Sequence, residues 1–263
     1  MWNISAGAGS PVVFVHGALS DYRHWEPQVE AVGATWRAVA VSLSGYHPAP
    51  LDARNEWSAE RHIVELGAFI GSFGVPVHLV GHSRGGRIAL NVAARFNGAV
   101  RSLVLIEPGG EMASDFLLPR PQAGTRSQAP ADVREQALAL VKSGERERGM
   151  RRYIDSGHGE GRWDRLSPAL QRIILSNAGT MSWMVRDRTG PLTADRARNI
   201  SCPTLLIGGT DSPAVFSEVL DALQAYIPNH QRQSVANADH FLTWERAAAV
   251  NEALYKWLQV REG

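Results

Sequence analysis

The chain has 263 residues, of which 44% are hydrophobic, and a formal net charge of +1. That length allows one domain with a sizeable core, and the low net charge gives no electrostatic reason to expect a nucleic acid or an anionic membrane as partner. Cys202 is the single cysteine, which excludes an internal disulfide framework. The first residues lack the basic and apolar regions of a secretory signal. We therefore expect a cytoplasmic protein, a monomer or homodimer, that acts on a small molecule.

Short apolar runs alternate with helical patterns along most of the chain. The predicted strands are 11–15, 39–41, 77–80, 103–106, 204–207 and 231–235. Helical spacing of apolar residues predicts helices near 25–32, 58–73, 88–96, 217–226 and 250–258. Strands that alternate with helices predict an α/β fold, a mostly parallel sheet with helices on both faces.

This alternation stops near residue 111 and resumes near residue 199. The stretch between has a Pro-rich connector and helical patterns around 133–141 and 167–174. The basic run 146–152, interrupted by an acidic residue, is interpreted as the solvated face of a further helix. We predict a core of residues 1–110 and 199–263, and a helical cap, or lid, of residues 111–198 inserted into it.

The segment Gly81-His82-Ser83-Arg84-Gly85 follows a predicted strand and precedes a predicted helix. In that setting a Gly-x-Ser-x-Gly pattern is typical of a nucleophile elbow, in which a sharp turn exposes the serine hydroxyl. The same pattern also fits a plain strand-to-helix turn with a serine cap. Other segments decide between these two interpretations.

A serine hydroxyl needs a neighbouring base, and the base needs an acid that orients it. His240 follows the last predicted strand and is the predicted base. Asp211 follows the strand before it, in a Gly-rich loop, and is the predicted acid. Glu107, at the end of an earlier strand, is the rival for that role, and Asp239 is a weaker rival because it adjoins His240. All the principal candidates lie at the carboxyl ends of strands, where α/β sheets bind ligands.

Backbone amides are needed to bind the oxyanion that such a reaction forms. The predicted donors are the amides of Arg84, directly after the serine, and Ala18, in the turn after His16-Gly17, with Leu19 as the alternative to Ala18. His16 itself is interpreted as a structural residue beneath this turn. The other histidines show no metal-ligand spacing, so we expect no metal site, and the chemistry needs no cofactor.

Four segments together resemble the α/β-hydrolase superfamily over nearly the whole chain: 13–17, 81–86, 209–211 and 239–241. The position of the predicted cap resembles that in the capped branch of the superfamily. Relatives commonly have one or two strands before the segment that matches 12–15, so we expect the first strand to be missing or short here. Aspartate is the nucleophile in the haloalkane dehalogenases and epoxide hydrolases of this fold, and Ser83 excludes this chain from that chemistry.

The resemblance implies a substrate pocket beside the serine. Leu19, His82 and Phe241 are predicted to contact the substrate because they adjoin the oxyanion turn, the serine and the base. Trp183 is the predicted contact from the cap.

These residues predict a serine hydrolase that cleaves an ester or lactone of a small to medium apolar substrate through an acyl-enzyme. One alternative is a C–C bond hydrolase or lyase, which an additional cation in the pocket (Arg84, Arg186 or Arg188) favours. Others are a small-molecule receptor with little turnover and a scaffold for protein association.

Overall fold

A computed structural model describes residues 1–49, 58–116, 118, 130–186 and 191–262. Seven strands form one sheet in the order β1-β3-β2-β4-β5-β6-β7. β2 to β7 run parallel, and β1 pairs antiparallel with β3. The strands are β1 (Asn3–Ala6), β2 (Pro11–Val15), β3 (Arg37–Val41), β4 (Val77–His82), β5 (Val100–Ile106), β6 (Thr204–Gly209) and β7 (His230–Val235). The predicted α/β class and mostly parallel sheet are confirmed.

Helices cover both faces of this sheet. Six belong to the alternating part of the chain: α1 (Glu26–Gly33), α2 (Ala59–Gly71), α3 (Arg84–Arg95), α10 (Ala214–Tyr226), α11 (Leu242–Glu245) and α12 (Ala247–Gln259). The serine before α2, Ser58, accepts a hydrogen bond from the Arg61 amide and so caps the helix. Within the described ranges, no helix has the length and apolar character needed to cross a membrane.

The strand residues alternate between two apolar layers. Val13 and Val15 pack with residues of α2, α3 and α10 on one face of the sheet. Val12 and Phe14 pack with residues of α1 and α12 on the other face. Because both faces are covered, β2 is buried along its whole length, which explains its continuous apolar sequence.

The first strand is present but short. β1 has four residues, and it pairs with β3 from Asn3 opposite Val41 to Ala6 opposite Ala38. This short strand lies at the edge of the sheet, far from β4 and β5 in the strand order.

The segment between β5 and β6, called the cap below, is helical. Its helices are α4 (Ala131–Lys142), α5 (Arg146–His158), α6 (Arg162–Arg165), α7 (Pro168–Asn177), α8 (Met181–Arg186) and α9 (Ala194–Arg198). Most of its buried side chains form a cluster of their own, which also includes Leu19 and Phe241 of the core. Most of the predicted Pro-rich connector lies outside the described residues.

The two ends of the cap lie side by side against the core. Met112 and Leu192 form a parallel β-bridge, and the Ala113 amide donates a hydrogen bond of 2.9 Å to the Leu192 carbonyl. Phe116 and Ala197 pack into the main apolar cluster of the core rather than into that of the cap. Both ends of the inserted segment are therefore attached to the core.

A sharp turn joins β4 to α3 at Ser83. The residue has φ 52° and ψ −123°, in the left-handed region that non-glycine residues rarely adopt. A Cβ atom on Gly85 would lie 2.3 Å from the Val15 carbonyl oxygen and 2.4 Å from that of His16. Only glycine therefore permits α3 to begin this close to the end of β2.

Replacing Gly85 by alanine should lower the free energy of unfolding by about 2 kcal/mol or more, because the added methyl overlaps two backbone oxygens that cannot move independently. Gly71→Ala is the matched control, since no atom lies within 4 Å of its Cβ position at the end of α2, and it should be neutral or stabilising. Urea unfolding followed by circular dichroism measures both. Equal midpoints for the two variants would contradict this account of the turn.

Candidate active site

A cavity of about 250 Å³ lies between the carboxyl edge of the sheet and the cap. The core and the cap both contribute side chains to its wall, among them Leu19, Ser83, His240, Tyr153, His158 and Leu170. The predicted nucleophile and the predicted base therefore line one cavity, as the convergence of strand ends at this edge leads us to expect.

Ser83 is half-buried at the floor of this cavity. Its carbonyl accepts hydrogen bonds from the amides of Gly109 (3.1 Å) and Arg87 (3.2 Å), so the backbone of the turn is held on two sides. α3 begins at Arg84, whose amide is one of the first in the helix and has no intrahelical acceptor. The positive end of the helix dipole thus lies beside the serine.

The acid in contact with His240 is Glu107. Oε2 of Glu107 lies 2.7 Å from Nδ1 of His240, and the carboxylate is fully buried. Its other oxygen, Oε1, accepts a hydrogen bond of 2.7 Å from the Gly209 amide. Both carboxylate oxygens therefore have partners, and the contact leaves Nε2 as the imidazole nitrogen that can act on a substrate.

The prediction that Asp211 orients the base is wrong in this structure. Asp211 is exposed, and its Oδ1 accepts a hydrogen bond of 2.9 Å from the hydroxyl of its neighbour Thr210. Its backbone amide is bound to the Ala238 carbonyl, 2.9 Å away. The loop after β6 therefore directs this side chain to the surface, and the rival, Glu107, occupies the position beside the imidazole.

Two features allow Glu107, which follows β5, to reach the imidazole of His240, which follows β7 two strands away. Glu107 has a positive φ of 43° directly after β5. The neighbouring Gly208 does not decide this, since a Cβ atom there would lie at an ordinary 3.6 Å from Oε1 of Glu107 and would overlap only the Leu220 side chain, at 2.6 Å. The glutamate side chain is one methylene longer than aspartate, which suits the span from β5 to the base.

His16 fixes the turn that was predicted to hold the oxyanion. Its Nε2 accepts a hydrogen bond of 3.0 Å from the Leu43 amide, so Nδ1 carries the proton and donates to the Gly17 carbonyl at 2.7 Å. Burial lowers the pKa of this ring to about 4, which keeps it neutral at pH 7. Its geometry fits the predicted structural role.

Ala18 and Leu19 follow in that turn and line the cavity. Their amides donate no hydrogen bond to any residue that the structure describes. Leu19 has φ 54°, a conformation that non-glycine residues seldom adopt. Unpaired amides in a strained turn beside Ser83 are suited to bind an anionic oxygen.

Aromatic rings surround the imidazole of His240. Phe216, from α10, stacks on it with ring centroids 3.8 Å apart and planes 12° apart. His158, from the end of α5, lies parallel to it at 5.5 Å. His82 lies at 4.6 Å, and its Nε2 donates a hydrogen bond of 3.0 Å to the His240 carbonyl. The base is thus held in place by rings as well as by Glu107.

The neighbouring histidines are neutral at pH 7. Burial, followed by the adjacent imidazole of His240, lowers the pKa of His158 to about 3 and that of His82 well below its ordinary value. Burial also lowers the pKa of His24, which stacks on His82 at 5.2 Å, to about 3. None of these three rings therefore carries a charge that would oppose protonation of the base.

These rings do not form a metal site. In the part of the chain that the structure describes, no three histidine, cysteine or carboxylate side chains are placed to hold a metal ion together.

The predicted substrate contacts are placed as follows. Leu19, His82 and Phe241 line the cavity. Trp183 is absent from the described lining, in contrast to our prediction, and packs edge-on against Tyr46 with centroids 5.9 Å apart. Its position was predicted from residue type alone, and the packing of α8 turns the ring towards the core instead of the cavity.

Several lining residues have no sequence motif that identifies them. Phe216, His158 and Arg134 are examples. Phe216 follows Asp211 in the chain, but helix packing and not local sequence brings its ring onto His240. The cap residues have no fixed spacing from the serine or the base, so no pattern could have selected them.

The positively charged side chains in the described lining of this cavity are arginines. Arg84, Arg87 and Arg134 all contribute to its wall, and Glu111 is the acidic residue in the same lining. Of the cations considered from the sequence, Arg84 is therefore placed at the cavity. Arg188 and the side chain of Arg186 lie outside what the structure describes.

Comparison with known proteins supports the fold and shows the family. Residues 12–253 match the model of the Alpha/beta hydrolase family. The chain belongs to the alpha/beta hydrolase family. Among characterised relatives, it is 22% identical to the (E)-2-((N-methylformamido)methylene)succinate hydrolase of Acinetobacter baylyi, covering 96% of this chain and 92% of the relative.

It is also 26% identical to a 2-hydroxy-6-oxo-6-phenylhexa-2,4-dienoate hydrolase of Burkholderia cepacia, covering 96% of this chain and 89% of that protein. The structure of MenH from S. aureus superimposes with a TM-score of 0.81 at 18% identity and covers 99% of both chains. These similarities make the protein an alpha/beta hydrolase enzyme.

Replacing the two candidate acids separates their roles. Glu107→Gln should lower kcat for a p-nitrophenyl ester about 10⁴-fold, the effect of the equivalent change in a serine protease, because the amide no longer holds the imidazole in its reactive state. Asp211→Asn should change kcat by no more than about twofold, as expected for an exposed residue. Steady-state kinetics measures both, and the opposite order of effects would return the acid role to Asp211.

Proposed function

We propose that the protein is a serine hydrolase that cleaves a carboxylic ester or lactone of small to medium size and apolar character. The observation that carries this proposal is the contact between Glu107 and His240, 2.7 Å long and buried, in a cavity that is also lined by the elbow residue Ser83. Nucleophile, base and acid are the parts that acyl transfer to serine requires.

The reaction begins with attack of the Ser83 hydroxyl on the substrate carbonyl, while Nε2 of His240 accepts its proton. Glu107 stabilises the imidazolium that forms and keeps Nδ1 protonated. The imidazolium then protonates the leaving alcohol. In the second half, His240 takes a proton from the water that attacks the acyl-enzyme carbonyl, and the imidazolium returns this proton to Ser83 Oγ as the acid leaves.

The amides of Arg84 and Ala18 are the proposed donors to the oxyanion. Removal of one such donor in other hydrolases raises the barrier by about 3 kcal/mol. Because both groups belong to the backbone, side-chain substitution does not remove them. Leu19 is the alternative to Ala18, and its strained conformation supports a specific role for this turn.

Hydrolysis of p-nitrophenyl esters of increasing acyl length tests the proposal. We expect turnover that Ser83→Ala abolishes, because no other nucleophile replaces the elbow serine, and a chain-length profile that falls once the acyl group exceeds a cavity of about 250 Å³. Equal turnover by both proteins would contradict the role of Ser83. A folded protein without turnover on any ester would favour a C–C hydrolase, lyase or receptor.

A C–C bond hydrolase acting on a carboxylic acid is the second candidate. The three arginines in the cavity wall support it, since a guanidinium binds a carboxylate with two parallel hydrogen bonds. The names of both characterised relatives also describe salts of carboxylic acids, a succinate and a dienoate. Serine, base and oxyanion donors serve either reaction, so they do not distinguish the two candidates. The feature that favours the second candidate is a site for an acid group on the substrate.

Arg134 is suited to test for an acidic substrate. It makes no side-chain hydrogen bond or ion pair with any residue that the structure describes. Arg134→Met should raise KM at least about tenfold for a p-nitrophenyl ester with a free carboxylate on its acyl chain, because a charged hydrogen bond contributes about 1.5–3 kcal/mol. KM for the neutral ester of equal length should not change.

Arg148→Met is the matched control, since Arg148 pairs with Glu145 on the exposed surface of the cap. It should leave both substrates unaffected. Equal effects of Arg134→Met on the charged and neutral esters would contradict a carboxylate-binding role for this residue.

A further inference from the structure

Two polar side chains of the cap bind residues of the core at separate places. Asn177, at the end of α7, donates a hydrogen bond of 2.6 Å to Asp21 and accepts one of 2.9 Å from the His47 amide. Arg162, in α6, lies on the side of the base. Its side chain is 5% exposed, so its charge requires partners within the protein.

Arg162 has two carboxylate partners, both from the core. Its Nε and Nη2 bind the two oxygens of Asp239 at 2.6 and 3.1 Å, and Nη2 also binds Glu245 at 2.8 Å. The guanidinium lies over the ring of Phe241, 4.6 Å from its centroid. A bidentate contact of this kind fixes both the distance and the orientation of the guanidinium relative to the carboxylate.

These partners flank the base along the chain. Asp239 precedes His240 and also accepts a hydrogen bond of 2.9 Å from the Phe241 amide, so its carboxylate spans the base residue. Hydrogen bonds from Arg162 and from this amide outweigh burial and lower the pKa of Asp239. The turn that holds His240 is thus tied to an ion pair with the cap.

The same cap segment also positions a ring on the base. His158 ends α5, and the Arg162 amide donates a hydrogen bond of 3.1 Å to the carbonyl of the next residue, Gly159. Gly159 and Gly161 both have positive φ, which folds this linker into a tight turn. Holding Arg162 therefore also holds His158 parallel to His240.

We propose that Arg162 is a positioning residue that couples the seating of the cap to the placement of the catalytic base. With the cap seated, Arg162 holds the 239–241 turn from outside while His158 covers the imidazole from the cavity side. Without the guanidinium, Asp239 and Glu245 become neighbouring carboxylates that repel each other, and the turn loses its external support.

The kinetic test rests on the proposed function. Arg162→Met should lower kcat for a short p-nitrophenyl ester at least about tenfold, because misplacement of a base by a fraction of an ångström already reduces the rate. KM should change less. Active-site titration with a fluorophosphonate corrects for unfolded protein, and Arg151→Met, which removes an exposed cap arginine paired with Asp164, should match the wild type.

Two further variants separate positioning from simple stabilisation. Arg162→Lys keeps the charge but not the paired geometry, so kcat should fall between wild type and Arg162→Met. Asp239→Asn should lower kcat in the same direction, and Arg162→Met combined with Asp239→Asn should lose less than the product of the single effects. If Arg162→Met does not fold, Asp239→Asn tests the same contact.

A readout that needs no substrate is the low-field proton resonance of the hydrogen bond between Glu107 and His240, assigned by its loss in Glu107→Gln. Arg162→Met should broaden or shift this resonance, and Arg151→Met should not. An unchanged resonance and an unchanged kcat in folded Arg162→Met would overturn the inference. A changed resonance in a protein without ester turnover would overturn the proposed function alone.

Discussion

The close approach of α3 to the end of β2 is the constraint on which the site depends. Gly85 lets the helix begin against the carbonyls of Val15 and His16, and this contact forces Ser83 into its strained turn. Gly17 faces the same turn, where an added Cβ would lie 3.1 Å from that of Ser83. The proposed nucleophile and the proposed oxyanion turn therefore share one contact, and neither can shift without the other.

The surroundings of the base combine one charge with several neutral rings. Glu107 is the charged group in direct contact with His240, while Phe216, His82 and His158 present aromatic surfaces. A carboxylate acts more strongly on an imidazolium in such a setting than in water, because less solvent screens the pair. Neutral histidines supply ring contacts without adding a competing positive charge.

The sequence predicted the parts of this site that local chemistry determines. Buried parallel strands are recognisable as runs of β-branched residues. A Gly-x-Ser-x-Gly pattern directly after such a run predicts that Ser83 lies at the edge of the sheet. Local sequence does not identify the acid in the same way, because Glu107 and Asp211 both follow strands. Which of them reaches His240 depends on side-chain length and on the backbone conformation of Glu107, and the backbone conformation appears only when the strands are assembled.

The cap was the least predictable part for a similar reason. Its helices were recognisable from the spacing of apolar residues and from capping residues such as Ser167, which caps α7. Their positions over the core depend on packing that has no sequence spacing relative to the serine. Trp183 was therefore assigned to the cavity and lies elsewhere, whereas Arg162 and His158 had no feature to distinguish them from surface residues.

The bridge between Met112 and Leu192 has a consequence for how this chain can change. The cost of closing a segment whose two ends meet grows only slowly with its length, by about 0.6 kcal/mol for each doubling. Glu107 comes before the first end, and Gly209, which holds its carboxylate, comes after the second. The core can therefore accept a cap of different size or shape without a change in the contact between Glu107 and Gly209.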